Sequence, residues 1–537
     1  MKKLRAGVIV DNLQLTEWQL NALRQCEDLL DIEIFLNCRN SVPSRRLIKH
    51  FFYYVLNFFS MKGKSKRACQ VSQHFEQVEV VNFNCLQNKI WEEFPSDLSN
   101  DVSKRNLDVI IKFGMRLIKN PGDLGATHGI LSFHHGDPNQ YRGRPAAFYE
   151  WLNSEPYLGI GVQSINNSLD EGMFHVIEKS KIYHHDFSKT LENAYTLSPQ
   201  VFRKALLKLI RNERYETLAT KKGRLYFLPS NLAVLKFSCV ALIRKIEHLI
   251  FGMFYEKAWR VSFSKNTAFV NAIANPTDMI RLAVGRTLNL GSEHTFQADP
   301  FFVPDRNFVL LEALNKSTGV GEIIKVSTDE SEAQKTVLSG KHFSFPSIVT
   351  ENGNTWIFPE TASWQSPKLY KLDDPQTHVS LKGFENVRLV DPIYFHHNNI
   401  HYIFSGKKPN ALDNLNLYFS EKFDGPYQQH PENPIVIDPT CARMGGQILQ
   451  LNSKLYRVGQ DNSFSYGDGL TLMEISTISP EKYMERPAVE IVAEQPFSGP
   501  HTLNLKNDEM IFDYYFNKFS IFAGYRRLLS KLKLFSL

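Results

Sequence analysis

LSFHHGDPNQYRGRPAAFYEWLNSEPYLGIGVQSINNSLD, residues Leu131 to Asp170, decides how the first third of the chain is read. The apolar run Gly129-Ile130-Leu131 reads as the end of a strand, and Ser132, His134, His135 and Asp137 follow at once. Polar groups therefore gather where a strand opens into a loop, which is where open α/β sheets bind ligands. A short amphipathic helix is expected around Ala146 to Asn153, then a second strand over Gly161 to Ile165. The stretch closes on Leu169-Asp170-Glu171-Gly172. An imidazole at the end of one strand and a carboxylate after the next form an oriented acid–base pair where the fold brings them together.

Upstream, Arg5 to Val10 reads as a buried strand, Thr16 to Leu30 as a helix and Ile32 to Leu36 as a second strand, a βαβ opening for a parallel sheet. No GxGxxG follows the first strand, so a dinucleotide site is not indicated. With these elements in place, the quoted stretch resembles the catalytic segment of folate-dependent formyltransferases. That segment reads Asn-x-His-(Pro/Gly)-Ser-Leu-Leu-Pro-x-Tyr-Arg-Gly, with a later Leu-Asp-x-Gly. The family histidine falls on His134, the family aspartate on Asp170, and Tyr141, Arg142 and Gly143 match Tyr-Arg-Gly. Leu107 to Gly114 resembles the strand that precedes the site. The family asparagine falls on Ser132, and Leu-Leu-Pro is replaced by Asp137-Pro138-Asn139.

The resemblance implies a Rossmann-like parallel-sheet domain over residues 1–185. In it His134 takes the acceptor proton and Asp170 orients the ring. Ser132, with backbone N–H groups, faces the oxyanion, and Tyr141, Arg142, Gly143, His135 and Asp137 shape the substrate loop. The implied donor is formyl-tetrahydrofolate or another acyl donor, and no metal is expected. The competing reading keeps His134 and Asp170 as a buried structural pair.

The 537 residues call for two or three domains. A net charge of +6 is mild and spread along the chain, which argues against a nucleic-acid partner. Six cysteines without CxxC spacing read as reduced thiols, and a cytoplasmic location, at the inner face of a membrane, is the corresponding expectation. Residues 186–285 are expected to be a helical connector and 527–537 a basic tail. Three basic, apolar segments stand out: Arg45 to Arg67, Asn231 to Trp259 and Tyr525 to Leu537. Each reads either as a helix lying on an anionic membrane or as a docked helix, packed on the sheet for Arg45 to Arg67 and bracing the two flanking domains for Asn231 to Trp259.

From Arg286 short β-rich runs recur with turns such as Asn352-Gly353-Asn354 and His397-Asn398-Asn399 between them, so repeated hairpins are expected, in a propeller rather than a sandwich. This half resembles the five-bladed propeller of arabinofuranosidase- and invertase-type glycosidases. It is closer to the propeller at the N-terminus of plant glucosamine inositolphosphorylceramide transferases. The likeness rests on Ala298-Asp299-Pro300-Phe301, Phe345-Pro346-Ser347, Phe358-Pro359-Glu360, Asp391-Pro392-Ile393-Tyr394 and Gly445-Gly446-Gln447. It implies a propeller over 286–526 with Asp299, Glu360 and Asp391 as candidate acids and Arg443 and His501 as sugar or carboxylate contacts.

The whole fold class is thus α/β plus all-β. The first functional reading is a transferase that moves a formyl or related acyl group onto a sugar amine or hydroxyl in surface-polysaccharide or glycolipid assembly. Its partner would be a sugar nucleotide, polysaccharide or lipid-linked glycan held by the propeller. The alternatives are glycosidase or transglycosylase chemistry in the propeller, and a non-catalytic glycan-binding protein.

Overall fold

A computed structural model describes residues 3–41, 47–60, 62–88, 90–167, 172–213, 223–274, 278–288, 293–329 and 333–528. The chain forms two compact units, Met1–Lys245 and Ile246–Leu537.

The first unit is built on a seven-stranded sheet. Its strands are β1 (Leu4–Val10), β2 (Leu30–Cys38), β3 (Glu79–Phe83), β4 (Val109–Lys112), β5 (Ile130–His135), β6 (Tyr157–Ser164) and β7 (Met173–Lys181). The order is β3-β2-β1-β4-β5-β6-β7. The first five are parallel, and β6 and β7 extend the sheet in antiparallel fashion. An order of 3-2-1-4-5 is that of a Rossmann-type sheet. β1 and β4 are apolar in nearly every position because elements cover both of their faces. The helix Phe187–Ile210 buries Leu197, Val201, Phe202, Ala205 and Leu206. Its Asp186 caps the N-terminus by accepting from the Lys189 N–H at 2.9 Å.

The stretch 186–285, expected as a connector, therefore divides. Phe187–Ile210 packs on β6 and β7, with Lys204 paired to Glu178. Tyr255–Lys265 is a strand of the second unit, paired along its length with Glu509–Phe519. The boundary between the units falls inside the helix Asn231–Phe254. The first end packs on the strands just before it, and the last end pairs with a strand far along the chain, which no local pattern shows. Of the expected tail, residues 529–537 lie outside the described residues.

The second unit is a succession of five sheets, antiparallel except where Met279–Leu282 pairs in parallel with Tyr483–Ala493 in the fourth. The first runs His294–Phe302, Phe308–Asn315, Gly321–Ser327, Lys335–Leu338, and the second Ser344–Glu351, Asn354–Glu360, Lys368–Lys371, Asp374–Ser380. The third is led by Leu389–His397 and Ile400–Lys407, the fourth by Arg443–Met444 and Lys454–Asp461. The fifth joins Leu503–Lys506 and Glu509–Phe519 to Tyr255–Lys265 and Arg286–Thr287, so the β-region begins and ends in one sheet. The leading strands of successive sheets touch, and the fourth reaches the fifth through the Leu503 N–H on the Gly445 carbonyl at 2.8 Å. The fifth in turn packs on the first, which closes a cycle. Asn352 and Gly353, and Asn398 and Asn399, all have positive φ, as two-residue hairpin turns of the I′ kind require.

Within the fourth sheet Arg457 is fully buried. It donates to Glu485 at 2.8 and 2.6 Å and to the Cys441 carbonyl at 2.7 Å. Removing one partner of such a pair leaves a buried charge. Arg457→Met is expected to cost about 3–5 kcal/mol in equilibrium urea unfolding. The double substitution Arg457→Met/Glu485→Leu should recover most of that loss.

Candidate functional site

The first candidate centre lies at the end of β5. Successive side chains of a strand point to opposite faces. His135 consequently packs against the helix Phe187–Ile210, where its Nε2 donates to the Ser198 hydroxyl at 2.9 Å and its ring meets Tyr195 at 4.7 Å and Trp18 at 5.6 Å. Burial pushes its pKa down to about 3. It is a packed neutral histidine and not part of the loop. His134 faces the other way and is buried. Its Nε2 lies 3.0 Å from the Tyr141 carbonyl, which can only accept, so Nε2 carries the proton. Ser132, on the same face, has its hydroxyl 3.5 Å from the Phe133 carbonyl.

Asp170 lies outside the described residues. A different carboxyl is close to His134. A Cβ on Gly136 would stand 3.1 Å from both His134 Nε2 and Glu150 Oε1. Glu150 is buried, and burial lifts its pKa to about 7. The remaining loop residues serve structure. Asp137 accepts from the Asn139 N–H at 2.9 Å. Tyr141 donates to Glu155 at 2.6 Å, and Arg142 donates to the Gly223 carbonyl at 2.8 Å. Gly143 has a φ of 92°, and a Cβ there would meet the Tyr226 carbonyl oxygen at 2.0 Å. Tyr141-Arg142-Gly143 thus forms a short strand parallel to Arg224–Tyr226.

The second centre is assembled by the leading strands of the five sheets. In three of them a residue at positive φ precedes a proline: Asp299 (φ 51°), Phe345 (φ 48°) and Asp391 (φ 47°). At each point the register with the neighbouring strand slips. Such bulges re-aim side chains. Asp299, Glu360, Asp391, Arg443 and His501 come together here. Arg443 forks onto Asp391 through Nε and Nη2, with Nη2 also 3.9 Å from Glu360. The Asp391 N–H donates to Glu360 at 3.2 Å. His501 sits between two acids, with Nδ1 2.6 Å from Asp513 and Nε2 3.4 Å from Asp299.

Five further groups complete the centre. The Thr502 hydroxyl donates to Asp299 at 2.7 Å, and Asp513 accepts the backbone N–H groups of Asp299, His501 and Thr502. Glu312 is paired opposite Ala298. Gln460 donates to Asp391 at 3.2 Å, and among the described residues its buried Oε1 has no hydrogen-bond partner. The Tyr466 ring stands 5.0 Å from the Arg443 guanidinium and is 37 % exposed. Glu312, Gln460 and Asp513 each sit in the second strand of a sheet, and Glu312 and Asp513 are each a lone polar residue inside an apolar run. Burying such a group without a partner is costly. That was the available signal.

Charges here are strongly coupled. Burial, and then the nearby Asp391, push the Glu360 carboxyl up to about 8. Burial and then Asp299 hold Glu312 well above the usual carboxyl range. Burial also raises Asp299, against the pull of His501. Burial works against charged His501, but Asp513 and Asp299 outweigh it and raise its pKa. The centre therefore holds proton-bearing carboxyls beside an arginine-clamped one. Among the described residues, Asp299, His501 and Asp513 form one of two clusters whose ligand atoms lie within 4.8 Å of one another, close enough for a cation. There the imidazole already bridges the acids. The other cluster is Glu351, His396 and His401, where the Tyr394 hydroxyl sits 2.9 Å from Glu351 and 2.6 Å from His401.

The family described as glucosamine inositolphosphorylceramide transferase 1, N-terminal, matches residues 257–509. A relative of that name from Arabidopsis thaliana is 28 % identical over 227 residues, 39 % of this chain and 28 % of its own length. One from Oryza sativa subsp. japonica is 26 % identical over 248 residues, 43 % of this chain and 32 % of its own. The chain thus spans about a third or less of these relatives. Among solved structures, glycinamide ribonucleotide transformylase 1 from Symbiobacterium toebii covers 40 % of this chain and 95 % of its own, at 14 % identity and a TM-score of 0.30. A sugar 3N-formyl transferase covers 60 % and 98 %, at 10 % identity and a TM-score of 0.29.

Glu360 has a testable signature. Its folded pKa of about 8 lies above the ordinary 4.5, so the folded state holds this proton more tightly than the unfolded chain does. Stability from this group is full below about pH 4.5 and is lost as pH rises toward 8. Urea unfolding across that window should show Glu360→Gln with a shallower fall than wild type. Parallel slopes would contradict the assignment.

Proposed function

We propose that this chain is a sugar-modifying transferase whose glycan is held at the acid–arginine centre of the second unit. We read the five sheets as the blades of a five-bladed propeller. Supporting this are the cycle of leading strands and the pairing of Tyr255–Lys265 with Glu509–Phe519 that completes the last sheet.

The observation that carries the reading is the convergence of Asp299, Glu360, Asp391, Arg443 and His501, one residue from each leading strand or its immediate neighbour, on a single point. Glu360 keeps its proton near neutrality while Asp391 is held by Arg443. Two carboxyls whose environments differ in this way divide acid and base roles between them. Glu360 would deliver a proton to the oxygen leaving the sugar. As the bond from the anomeric carbon to that oxygen breaks, an acceptor hydroxyl would bond to the same carbon and give its proton to Asp391. The buried Gln460 Oε1 is an acceptor suited to a sugar hydroxyl, and the Tyr466 ring offers an apolar face to a pyranose. The relatives' name points to glucosamine and to inositolphosphorylceramide, so a glucosamine-bearing inositol phosphate glycan on a lipid is the first substrate class to try.

A second reading places formyl transfer in the first unit. It is favoured by His134 at the carboxyl edge of a parallel strand, with the Glu150 carboxyl, of pKa about 7, close by. There His134 would take the acceptor's proton, and formyl-tetrahydrofolate would be the donor.

The two readings separate in one experiment. The full chain is incubated with glucosamine-bearing inositol phosphate glycans, with and without formyl-tetrahydrofolate, and products are read by mass spectrometry. Glu360→Gln and Asp391→Asn should each lower turnover about 100-fold or more, with His134→Ala near wild type and no need for the folate. Loss in His134→Ala alone, together with a formylated product, would move the chemistry to the first unit.

A further inference from the structure

The helix Phe51–Ser60 is amphipathic the wrong way round for a packed helix. Phe51, Phe52, Val55, Phe58 and Phe59 recur at the spacing of one helical face, and that face is exposed. Phe58 and Phe59 are 67 % and 61 % accessible. Leu47 and Ile48, just before the helix, are exposed as well. The start of the helix Asn231–Phe254 is tied to this element. Asn231 accepts from the Phe52 N–H at 3.1 Å and donates to the Ile48 carbonyl at 2.8 Å, and the His50 Nδ1 donates to the Pro229 carbonyl at 2.8 Å. In the first unit this second helix buries Val234 and Phe237 and leaves Leu232, Leu235, Leu242 and Ile243 exposed, again along one side.

The rims of both faces are basic. Lys49, Lys62, Lys64 and Arg67 are exposed around the first, and the Lys62 Nζ lies 5.0 Å over the Phe58 and Phe59 rings. Lys236 and Lys245 are exposed on the second. No acidic residue occurs between Ile34 and Phe75, nor between Tyr226 and Ile246.

We propose that these two helices dock the first unit on the surface of an anionic lipid bilayer, with the aromatic face in the acyl boundary and the lysines among the headgroups. Apolar side chains flanked by cations are the recognition chemistry of such a surface. Long lysine stems reach from an apolar face to charged headgroups. A second copy of this chain fits less well, because a symmetric contact would set lysine against lysine along both rims, and Glu192, the acid beside the first, is already bonded to Ser65. Among the described residues no helix is long and apolar enough to cross a membrane, so the helices lie on it.

The test is co-sedimentation of the full chain with vesicles of phosphatidylcholine alone and of equal parts phosphatidylcholine and phosphatidylserine. Binding is expected to the mixed vesicles, weakening as salt is raised. Phe58→Ser/Phe59→Ser should reduce that binding about tenfold or more. Lys62→Glu/Lys64→Glu should reduce it while leaving residual apolar binding. Both pairs are exposed, so thermal unfolding should match wild type. Equal binding by wild type and Phe58→Ser/Phe59→Ser, or binding to neither vesicle, overturns the proposal. A concentration-dependent dimer in sedimentation velocity that Phe58→Ser/Phe59→Ser abolishes would assign the face to a second copy instead. Turnover of a water-soluble glycan should not change in either variant, which keeps this test separate from that of the sugar site.

Discussion

The second unit depends on one backbone device: a residue forced to positive φ just before a proline, at the same point of three leading strands. For a non-glycine residue that conformation costs on the order of 1 kcal/mol or more. At Asp299 and Asp391 it turns a carboxylate from the plane of its own sheet toward the common centre. At Phe345 the same turn delivers a ring instead, which packs 5.0 Å from Phe301 between the first two sheets. One geometry thus makes both the polar centre and the apolar wedge beneath it.

Crowding acids in this way creates the next requirement. Asp299, Glu312, Glu360, Asp391 and Asp513 cannot all ionise together in so dry a place. The chain answers with two cations and several protons. Arg443 clamps Asp391, His501 sits between Asp299 and Asp513, and Glu360 and Glu312 keep their hydrogens. Each counter-ion comes from a different sheet from at least one acid it serves. Arg443 of the fourth sheet reaches the third and the second, and His501, beside the fifth, reaches the first. The centre exists only when the cycle of sheets is closed, so its chemistry is coupled to the pairing of Tyr255–Lys265 with Glu509–Phe519.

What was legible in the sequence follows from this. The Asp-Pro and Phe-Pro motifs marked the bulges, and Asn352-Gly353 and Asn398-Asn399 marked turns whose φ values only certain residues adopt cheaply. The parallel strands of the first unit were readable as continuous apolar runs. Three things were missed, the first two because they are not local. The strand Tyr255–Lys265 is defined by a partner more than 240 residues away in sequence, as in the pairing of Lys265 with Glu509. Glu312 and Asp513 gain meaning only from the neighbouring leading strand. His134 and His135 look equivalent as a pair, yet strand alternation sends one toward Tyr141 and Glu150 and the other into the aromatic cluster of Trp18 and Tyr195.

A buried cluster of acids can be mere scaffolding, and the fourth sheet offers a comparison. Arg457 and Glu485 are 0 % and 6 % exposed, and the arginine's remaining donor meets a backbone carbonyl. That pair is closed and fully answered, as a structural ion pair should be. The central acids are arranged otherwise. Arg443 and Glu360 keep 15 % and 13 % of their side-chain surface, Tyr466 is partly exposed beside Arg443, and Gln460 holds a buried oxygen without a partner among the described residues. A scaffold gains nothing from a proton-bearing carboxyl, an unanswered acceptor and an exposed ring on the same side. A polyhydroxylated ligand would use all three. Phe345 shows the same backbone turn used for packing, whereas at Asp299 and Asp391 it aims a carboxylate at the place such a ligand would take.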